Sequence, residues 1–299
     1  MKILYLYPYY GELGWELWNW KTHCAYIAKN KGPFDHVFAV IREGREGIYP
    51  FVTEFDTFSD YGDCSEGNAF VLTRPDAYDH YKDHCKRCDK SVKKLEKSGH
   101  KVVIVRLPKS YYRYHRFKER HRLFEQLRPD AAVVERWSKV VNTDSVLFHL
   151  RHISRSPSKN TPEKFYKAAE KWARKNGRQF VTVGKTFGLT PKFEIKGVNL
   201  LNQTNLADLT AILSVGGMVV GSSSGPMHMA AATKTPHVVW GGGRGEVRAR
   251  YKKNWNKLKT PVEFLTLGFT VDRDKMLKAM TKIASLPESD SDNRRMRRK

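Results

Sequence analysis

The stretch Val219-Val220-Gly221-Ser222-Ser223-Ser224-Gly225-Pro226-Met227-His228-Met229-Ala230-Ala231-Ala232 admits few architectures. A β-branched run enters a Gly/Ser turn, small helix-favouring residues follow, and a second apolar run, Pro236-His237-Val238-Val239-Trp240, comes next. That is the order strand, tight turn, helix, strand. The helix start leaves backbone N–H groups without intrahelical partners. Helped by the helix dipole, those donors suit an anion such as a diphosphate. Ser-Gly-Pro is equally a plain helix start, so the turn alone leaves both readings open.

The same alternation runs through the whole chain. Strands are expected over 2–7, 35–40, 54–58, 68–72 and 101–105, with helices over 15–31, 42–52 and 78–98. The four apolar residues 102–105 predict a strand covered on both faces. A second unit begins with the apolar run 145–150 and continues through strands at 180–183 and 198–201. Helices are expected from Thr161 as N-cap to 176, over 205–215 and over 272–285. The expectation is an α/β protein with one Rossmann-like domain at 1–142, a second at 143–288 and a disordered basic tail at 289–299. With 299 residues, each domain is large enough for its own core.

Charge says what the partner is. The net charge is +23, and it is uneven: residues 1–80 carry −5, 81–122 carry +11 and 123–299 carry +17. Self-repulsion makes such an excess unfavourable, so a polyanion is expected, either nucleic acid or an anionic membrane surface. Two segments fit double-stranded DNA. In the first, Lys109, Arg113 and Arg116 can neutralise phosphates while Tyr111, Tyr112 and Tyr114 stack on bases or fill the gap left by a flipped one. The second holds Arg244, Arg248, Arg250, Lys252 and Lys253. The basic residues 117–127 read instead as a solvated amphipathic helix. No apolar run approaches the roughly 20 residues of a membrane span. Four cysteines in this length predict thiols in a reducing, cytoplasmic setting, and the N-terminal apolar run is too short for a signal peptide.

Two further patterns carry metal chemistry as an option. His84, Cys85 and Cys88, with His80 beside them, have zinc-ligand spacing but also fit a helix turn with buried thiols. Asp272-Arg273-Asp274 mimics a metal-binding Asp-x-Asp but stands where Asp caps a helix. The expectation is that no metal is required.

Asn202-Gln203-Thr204-Asn205-Leu206, Leu209-Thr210-Ala211-Ile212-Leu213, the opening stretch 219–232 and residues 236–241 together resemble the donor-binding half of heptosyltransferase-like glycosyltransferases. These include the ADP-heptose:LPS heptosyltransferases. The loop Gly11-Glu12-Leu13-Gly14 resembles that family's Gly-Asp loop, whose carboxylate serves as the base. The resemblance implies a GT-B fold, two Rossmann-like domains facing each other across a cleft, with a nucleotide sugar bound mainly by the second. Two departures stand out. Ser223 replaces the family's usual aspartate, and Glu12 replaces the aspartate of the loop, which implies a different sugar and acceptor.

Glycosyl transfer needs a base for the acceptor hydroxyl and donors for the departing diphosphate. Glu12 is the candidate base, with Glu16 one turn on as the alternative. Backbone N–H groups around Ser222, Ser223, Ser224 and Gly225 are the candidate diphosphate cradle, with Met227 and His228 on the following helix. Arg151, Ser154, Arg155 and Lys159 follow the first strand of the same domain and are placed to reach the phosphates, while Gly184 and Lys185 border the nucleoside. The sequence therefore predicts a sugar moved from a nucleotide diphosphate, a UDP-sugar for preference, to a hydroxymethylpyrimidine in DNA, as in phage DNA-modifying enzymes. Two competitors are a transferase acting on lipid or lipopolysaccharide at a membrane, and a non-catalytic nucleic-acid binder with a degenerate GT-B fold.

Overall fold

A computed structural model describes residues 1–11, 13–59, 75–107 (side chains from 79), 117–152, 160–186, 190–241, 248–265 and 272–287. Glu12, Ser154, Arg155, Lys159, Lys109, Tyr111, Tyr112, Arg113, Tyr114, Arg116 and Arg244 lie outside the described residues, as do the strand expected over 68–72 and the tail.

The chain forms two compact units, Met1–Glu125 and Gln126–Lys299. The division falls before the 142/143 boundary expected from sequence for a specific reason. Helix Ala131–Ser138 packs on helix Leu206–Val215. Arg136 pairs with the Asp208 carboxylate and Trp137 Nε1 donates to it at 2.9 Å. Residues 126–142 therefore travel with the second unit.

Unit 1 contains β1 (Lys2–Leu6), α1 (Leu13–Trp15), a π-helical segment Glu16–Trp20, α2 (Lys21–Asn30), β2 (His36–Arg42), β3 (Glu54–Phe58), α3 (Pro75–Lys97) and β4 (Lys101–Val105). The sheet is parallel in the order β3-β2-β1-β4. β1 is central and buried from Ile3 onward. Among the described strands β4 lies last in the sheet, and Ile104 is 46% exposed, so the apolar run 102–105 is not covered on both faces as expected. Nor is 42–52 a helix: only Glu46–Ile48 makes a single 3₁₀ turn. Among the described residues 117–127, only Glu119–His121 is helical. Phe117 instead stacks on His23 at 3.7 Å, and Arg122 Nη1 donates to the Trp18 carbonyl at 3.2 Å. These contacts to α2 and the π segment replace the amphipathic helix.

Unit 2 continues from α4 (Ala131–Ser138) through β5 (Val146–His149), α5 (Glu163–Lys175), β6 (Phe180–Gly184), β7 (Val198–Leu201), α6 (Leu206–Val215), β8 (Met218–Ser222), α7 (Gly225–Ala232), β9 (His237–Trp240), α8 (Arg248–Trp255), β10 (Val262–Leu265) and α9 (Arg273–Ala284). All strand pairs are parallel, in the order β10-β9-β8-β5-β6-β7. Counted within the unit, this is the doubly wound 3-2-1-4-5-6 order, which reverses between β5 and β8.

On one face Phe148, Met218, Val220, Val238 and Trp240 pack against Phe165, Tyr166 and Ala169 of α5 and Met276 and Met280 of α9. Burying each large side chain there contributes about 1.5–3 kcal/mol. α5 shows why it is a helix. Phe165, Tyr166, Ala169 and Ala173 form its buried stripe, while Lys167–Glu163 and Arg174–Glu170 pair outside. Its N-cap is Pro162, not Thr161. Thr161 instead holds Arg151: its N–H donates to the Arg151 carbonyl at 2.9 Å, and its Oγ1 accepts the Arg151 N–H at 3.2 Å. α6 begins with a reciprocal capping box between Asn205 and Asp208. No helix among the described residues is long and apolar enough to cross a membrane.

Candidate functional site

In open α/β sheets ligands bind outside the carboxyl ends of the strands, where the strand order reverses. In unit 2 that place is the end of β5 beside the end of β8. There the register pairs His149 with Gly221. A Cβ added at Gly221 would lie 2.8 Å from the His149 Cβ and 3.1 Å from the Met227 sulfur, so only glycine admits that imidazole. On the other flank, Gly184 at the tip of β6 has φ +141°, and a Cβ there would lie 3.5 Å from the His149 Cδ2. Gly221 thus leaves the room that His149 needs, whereas at Gly184 the close approach is to the Leu150 carbonyl, 2.5 Å from such a Cβ, and the ring edge is in ordinary contact.

The β8–α7 turn is fixed by its own hydrogen bonds. The Ser223 N–H donates to the Trp240 carbonyl at 2.7 Å, which continues the β8–β9 ladder. This corrects one expectation, because Ser223 is spent on the sheet and leaves the anion cradle. Ser224 is the N-cap residue by position, but its side chain caps nothing. Its hydroxyl donates to the Ser222 carbonyl at 2.9 Å and meets the His149 Nδ1 at 3.2 Å. Pro226 has no N–H, and the His228 N–H returns to the Ser224 carbonyl at 3.1 Å. The first-turn amides left without a helical carbonyl are those of Gly225 and Met227. The cradle therefore loses Ser223 and comprises the N-cap amide of Ser224 with those of Gly225 and Met227, at the positive end of an eight-residue helix. Ser222 is buried, and no group among the described residues bonds its hydroxyl.

His228 does not face outward. Its ring stacks on Trp255 at 4.3 Å and 9° and is buried. Burial, with His237 and His149 nearby, lowers its pKa to about 3. It is a neutral ring at the base of the turn, not a charged phosphate ligand. His149 is also held near 3, by burial and then by the Arg151 charge.

Behind Gly184, the Thr186 N–H donates to Asn202 Oδ1 at 2.8 Å, and Asn202 Nδ2 donates to Thr186 Oγ1 at 2.9 Å. Asn202 has φ +62°, and its N–H donates to the Gly184 carbonyl at 2.9 Å. This reciprocal latch ties the ends of β6 and β7 together and leaves Lys185 exposed beside them. The structure thus brings Arg151, Gly184, Lys185, Ser222, Ser224, Gly225 and Met227 to the carboxyl edge of one sheet. It adds His149, Thr186 and Asn202, which sequence reasoning missed as site residues.

In unit 1 the corresponding reversal lies between β1 and β4. The chain leaves β1 through Tyr7, Tyr9 and Tyr10, all buried. The Tyr7 hydroxyl donates to Asp89 at 2.6 Å, and the Tyr10 ring stacks on Phe58 at 5.2 Å. Gly11 follows, where a Cβ would lie 2.7 Å from the Tyr9 hydroxyl. The approach to position 12 is therefore closely packed. Glu16, the alternative base, is 1% exposed; it pairs with Arg45 and accepts the Tyr49 hydroxyl at 2.7 Å. Committed to two buried partners, it is structural.

The side chains of the two metal-like patterns are engaged in packing and capping. Among the described residues no three His, Cys, Asp or Glu side chains are grouped to hold a metal. Cys85 and Cys88 are buried, with burial pushing the Cys88 thiol up to about 12, and His84 lies against Arg87 and Phe58. Asp272 caps α9, accepting from Asp274 and Lys275. On α8, Tyr251, Asn254 and Trp255 face inward while Arg248, Arg250, Lys252 and Lys253 are exposed. Arg248 is shared with Glu263 of the same unit at 3.3 Å.

Residues 185–256 match Glycosyltransferase family 9 (heptosyltransferase). The match encloses the β8–α7 turn, the Asn202 latch and α8. No curated protein matches the chain by sequence. Three solved structures share its fold over nearly the whole length. A glycosyl transferase family 9 protein from Veillonella parvula has a TM-score of 0.62 at 13% identity, covering 95% of this chain and 97% of its own. The E. coli ADP-heptose LPS heptosyltransferase II gives 0.59 at 15% identity, covering 95% and 98%. The E. coli heptosyltransferase WaaC with ADP gives 0.58 at 12%, covering 95% and 100%. The fold is GT-B, and with the family match the chain is a glycosyltransferase.

Proposed function

We propose that this glycosyltransferase of GT-B fold moves a sugar from a nucleoside-diphosphate donor held at the β5–β8 edge to a hydroxyl on a modified pyrimidine in DNA. The observation that carries the donor half is the β8–α7 turn. Its Gly225 and Met227 amides are open at a helix N-terminus, at the strand-order reversal, within the matched region. The WaaC structure holds ADP, so ADP-sugars stand beside the UDP-sugars expected from sequence. Arg155 and Lys159 supply positive charge to the departing diphosphate, and Glu12 takes the proton from the acceptor hydroxyl.

The acceptor half rests on charge. A net +23, with exposed Arg250, Lys252 and Lys253 inside the matched region, fits a phosphate backbone. A lipopolysaccharide acceptor is the second reading, favoured by the described acceptor of the E. coli heptosyltransferase II that shares the fold.

The full chain is incubated with UDP-glucose or ADP-heptose and one acceptor at a time: hydroxymethylated DNA, ordinary DNA or heptose-deficient lipopolysaccharide. Mass spectrometry reads the products. A hexose or heptose mass on hydroxymethylated DNA alone supports the proposal, and transfer to lipopolysaccharide alone replaces it with the second reading. Glu12→Gln is expected to reduce transfer about 10²–10⁴-fold with donor binding intact. Normal turnover by that variant removes Glu12 from the mechanism.

A further inference from the structure

The His149–Ser224 pair has a fixed hydrogen-bond polarity. A carbonyl only accepts, so the single Ser224 hydroxyl proton goes to the Ser222 carbonyl at 2.9 Å. The 3.2 Å contact between Ser224 Oγ and His149 Nδ1 is then a bond only if Nδ1 carries the proton. The ring is neutral, since its pKa is held near 3, so Nε2 is left with a lone pair. Among the described residues no group donates to that nitrogen, although the side chain is more than nine-tenths buried. An acceptor that no protein group supplies takes its hydrogen bond from water or from a ligand hydroxyl that displaces it.

Its position says which ligand atom. The Nδ1 side of the ring lies against Gly221 and the turn into α7, while Cδ2, the neighbour of Nε2, lies against Gly184 at the tip of β6. If the diphosphate sits on the Gly225 and Met227 amides and the nucleoside lies by Gly184 and Lys185, the ribose lies between them. A neutral lone pair repels a phosphate oxygen and accepts from a hydroxyl. The geometry points to His149 Nε2 as the acceptor for a ribose hydroxyl of the donor nucleotide, oriented by Ser224 through Nδ1. This rests on the donor site proposed above.

The test is calorimetric titration of the full chain with ADP, UDP, GDP and CDP, followed by the 2′-deoxy and 3′-deoxy forms of whichever binds. His149→Asn keeps an N–H near the Nδ1 position for Ser224 and removes Nε2. His149→Gln returns an amide oxygen to the region of Nε2. The wild type is expected to prefer the ribonucleotide about tenfold over one of the deoxy forms. His149→Asn should lose about tenfold for the ribonucleotide and nothing further for that deoxy form, with His149→Gln recovering part of the loss. A folded His149→Asn that binds like the wild type, or still discriminates ribo from deoxy, overturns the inference and leaves the donor site standing. If His149→Asn does not fold, a wild type that treats the ribo form and both deoxy forms alike overturns it. A wild type that binds none of the four nucleotides overturns the donor site and this inference together.

Discussion

Arg45→Ala is expected to destabilise unit 1 by about 3–5 kcal/mol, a large part of the roughly 5–15 kcal/mol that holds a domain folded. The reason is what it leaves behind. Glu16 is 1% exposed at the first position of the π-helical segment, and its carboxylate has two partners, the Arg45 guanidinium and the Tyr49 hydroxyl at 2.7 Å. Removing Arg45 strands a charge in a low-dielectric interior with one neutral hydrogen bond. Removing both charges is a different experiment. Glu16→Leu with Arg45→Met should cost far less than Arg45→Ala alone, because the desolvation penalty disappears with the pair. Urea midpoints of the three proteins, with hydrogen exchange across residues 13–30, give the comparison. A change below 1 kcal/mol in Arg45→Ala would mean that the pair is hydrated in solution. Such π segments often lie at functional sites. This one begins four residues after the candidate base, so Arg45→Ala should also lower transfer where the chain is still folded.

The parts of the fold that were legible in the sequence are those where a local pattern has one tertiary outcome. Val146-Leu147-Phe148 is buried on both faces, and the capping box at Asn205 and Asp208 starts its helix where the residues say it should. Strand order is another matter. The run 102–105 is as apolar as a central strand, yet among the described strands β4 lies last in the sheet of unit 1 and Ile104 is exposed. Periodicity reports how apolar a strand is, not how many neighbours it finds. Residues 117–127 failed for a related reason. Their helical stripe of aromatics is consumed by stacking on α2, with Phe117 against His23, and the backbone follows the contacts instead of its propensity.

At the site, the turn 222–225 was found from composition, but its polarity was not. Whether the Ser223 N–H belongs to the cradle or the sheet depends on a single residue of ladder extension, and the Trp240 carbonyl decides it. His149 was passed over because a histidine ending an apolar run reads as core. Its signal is the glycine that leaves it room, and Gly221 becomes a neighbour of His149 only once β8 is paired with β5. Cross-strand information of this kind does not exist in a linear pattern.

The three buried histidines of unit 2 make its stability steeply dependent on acid. His149 and His228 are held near 3 and His237 near 4, each chiefly by burial, against about 6.5 in the unfolded chain. His237 is locked as a neutral ring between the Thr235 carbonyl at 2.9 Å and the Tyr251 hydroxyl at 3.0 Å. The sign follows from proton counting. Above about pH 6.5 neither state protonates these rings, and their contribution is fully present. Between about 6.5 and 4 the unfolded chain takes up three protons that the folded unit refuses, so stability falls as the pH falls. Each ring gives about 1.4 kcal/mol per pH unit, and the three together remove about 6 kcal/mol between pH 7 and 5. For a unit of this size that is a drop in Tm of about 15 °C. His84 in unit 1, buried and lowered to about 4 by that burial and then by Arg87, acts in the same direction. Melting curves from pH 8 to 5, with hydrogen exchange on β5, β8 and β9 to isolate unit 2, measure the slope. His237→Gln should remove about a third of the pH dependence while lowering stability at pH 8. A Tm that moves less than about 3 °C between pH 7 and 5 would show that these rings are solvated, which would also remove the neutral His149 lone pair from the donor site.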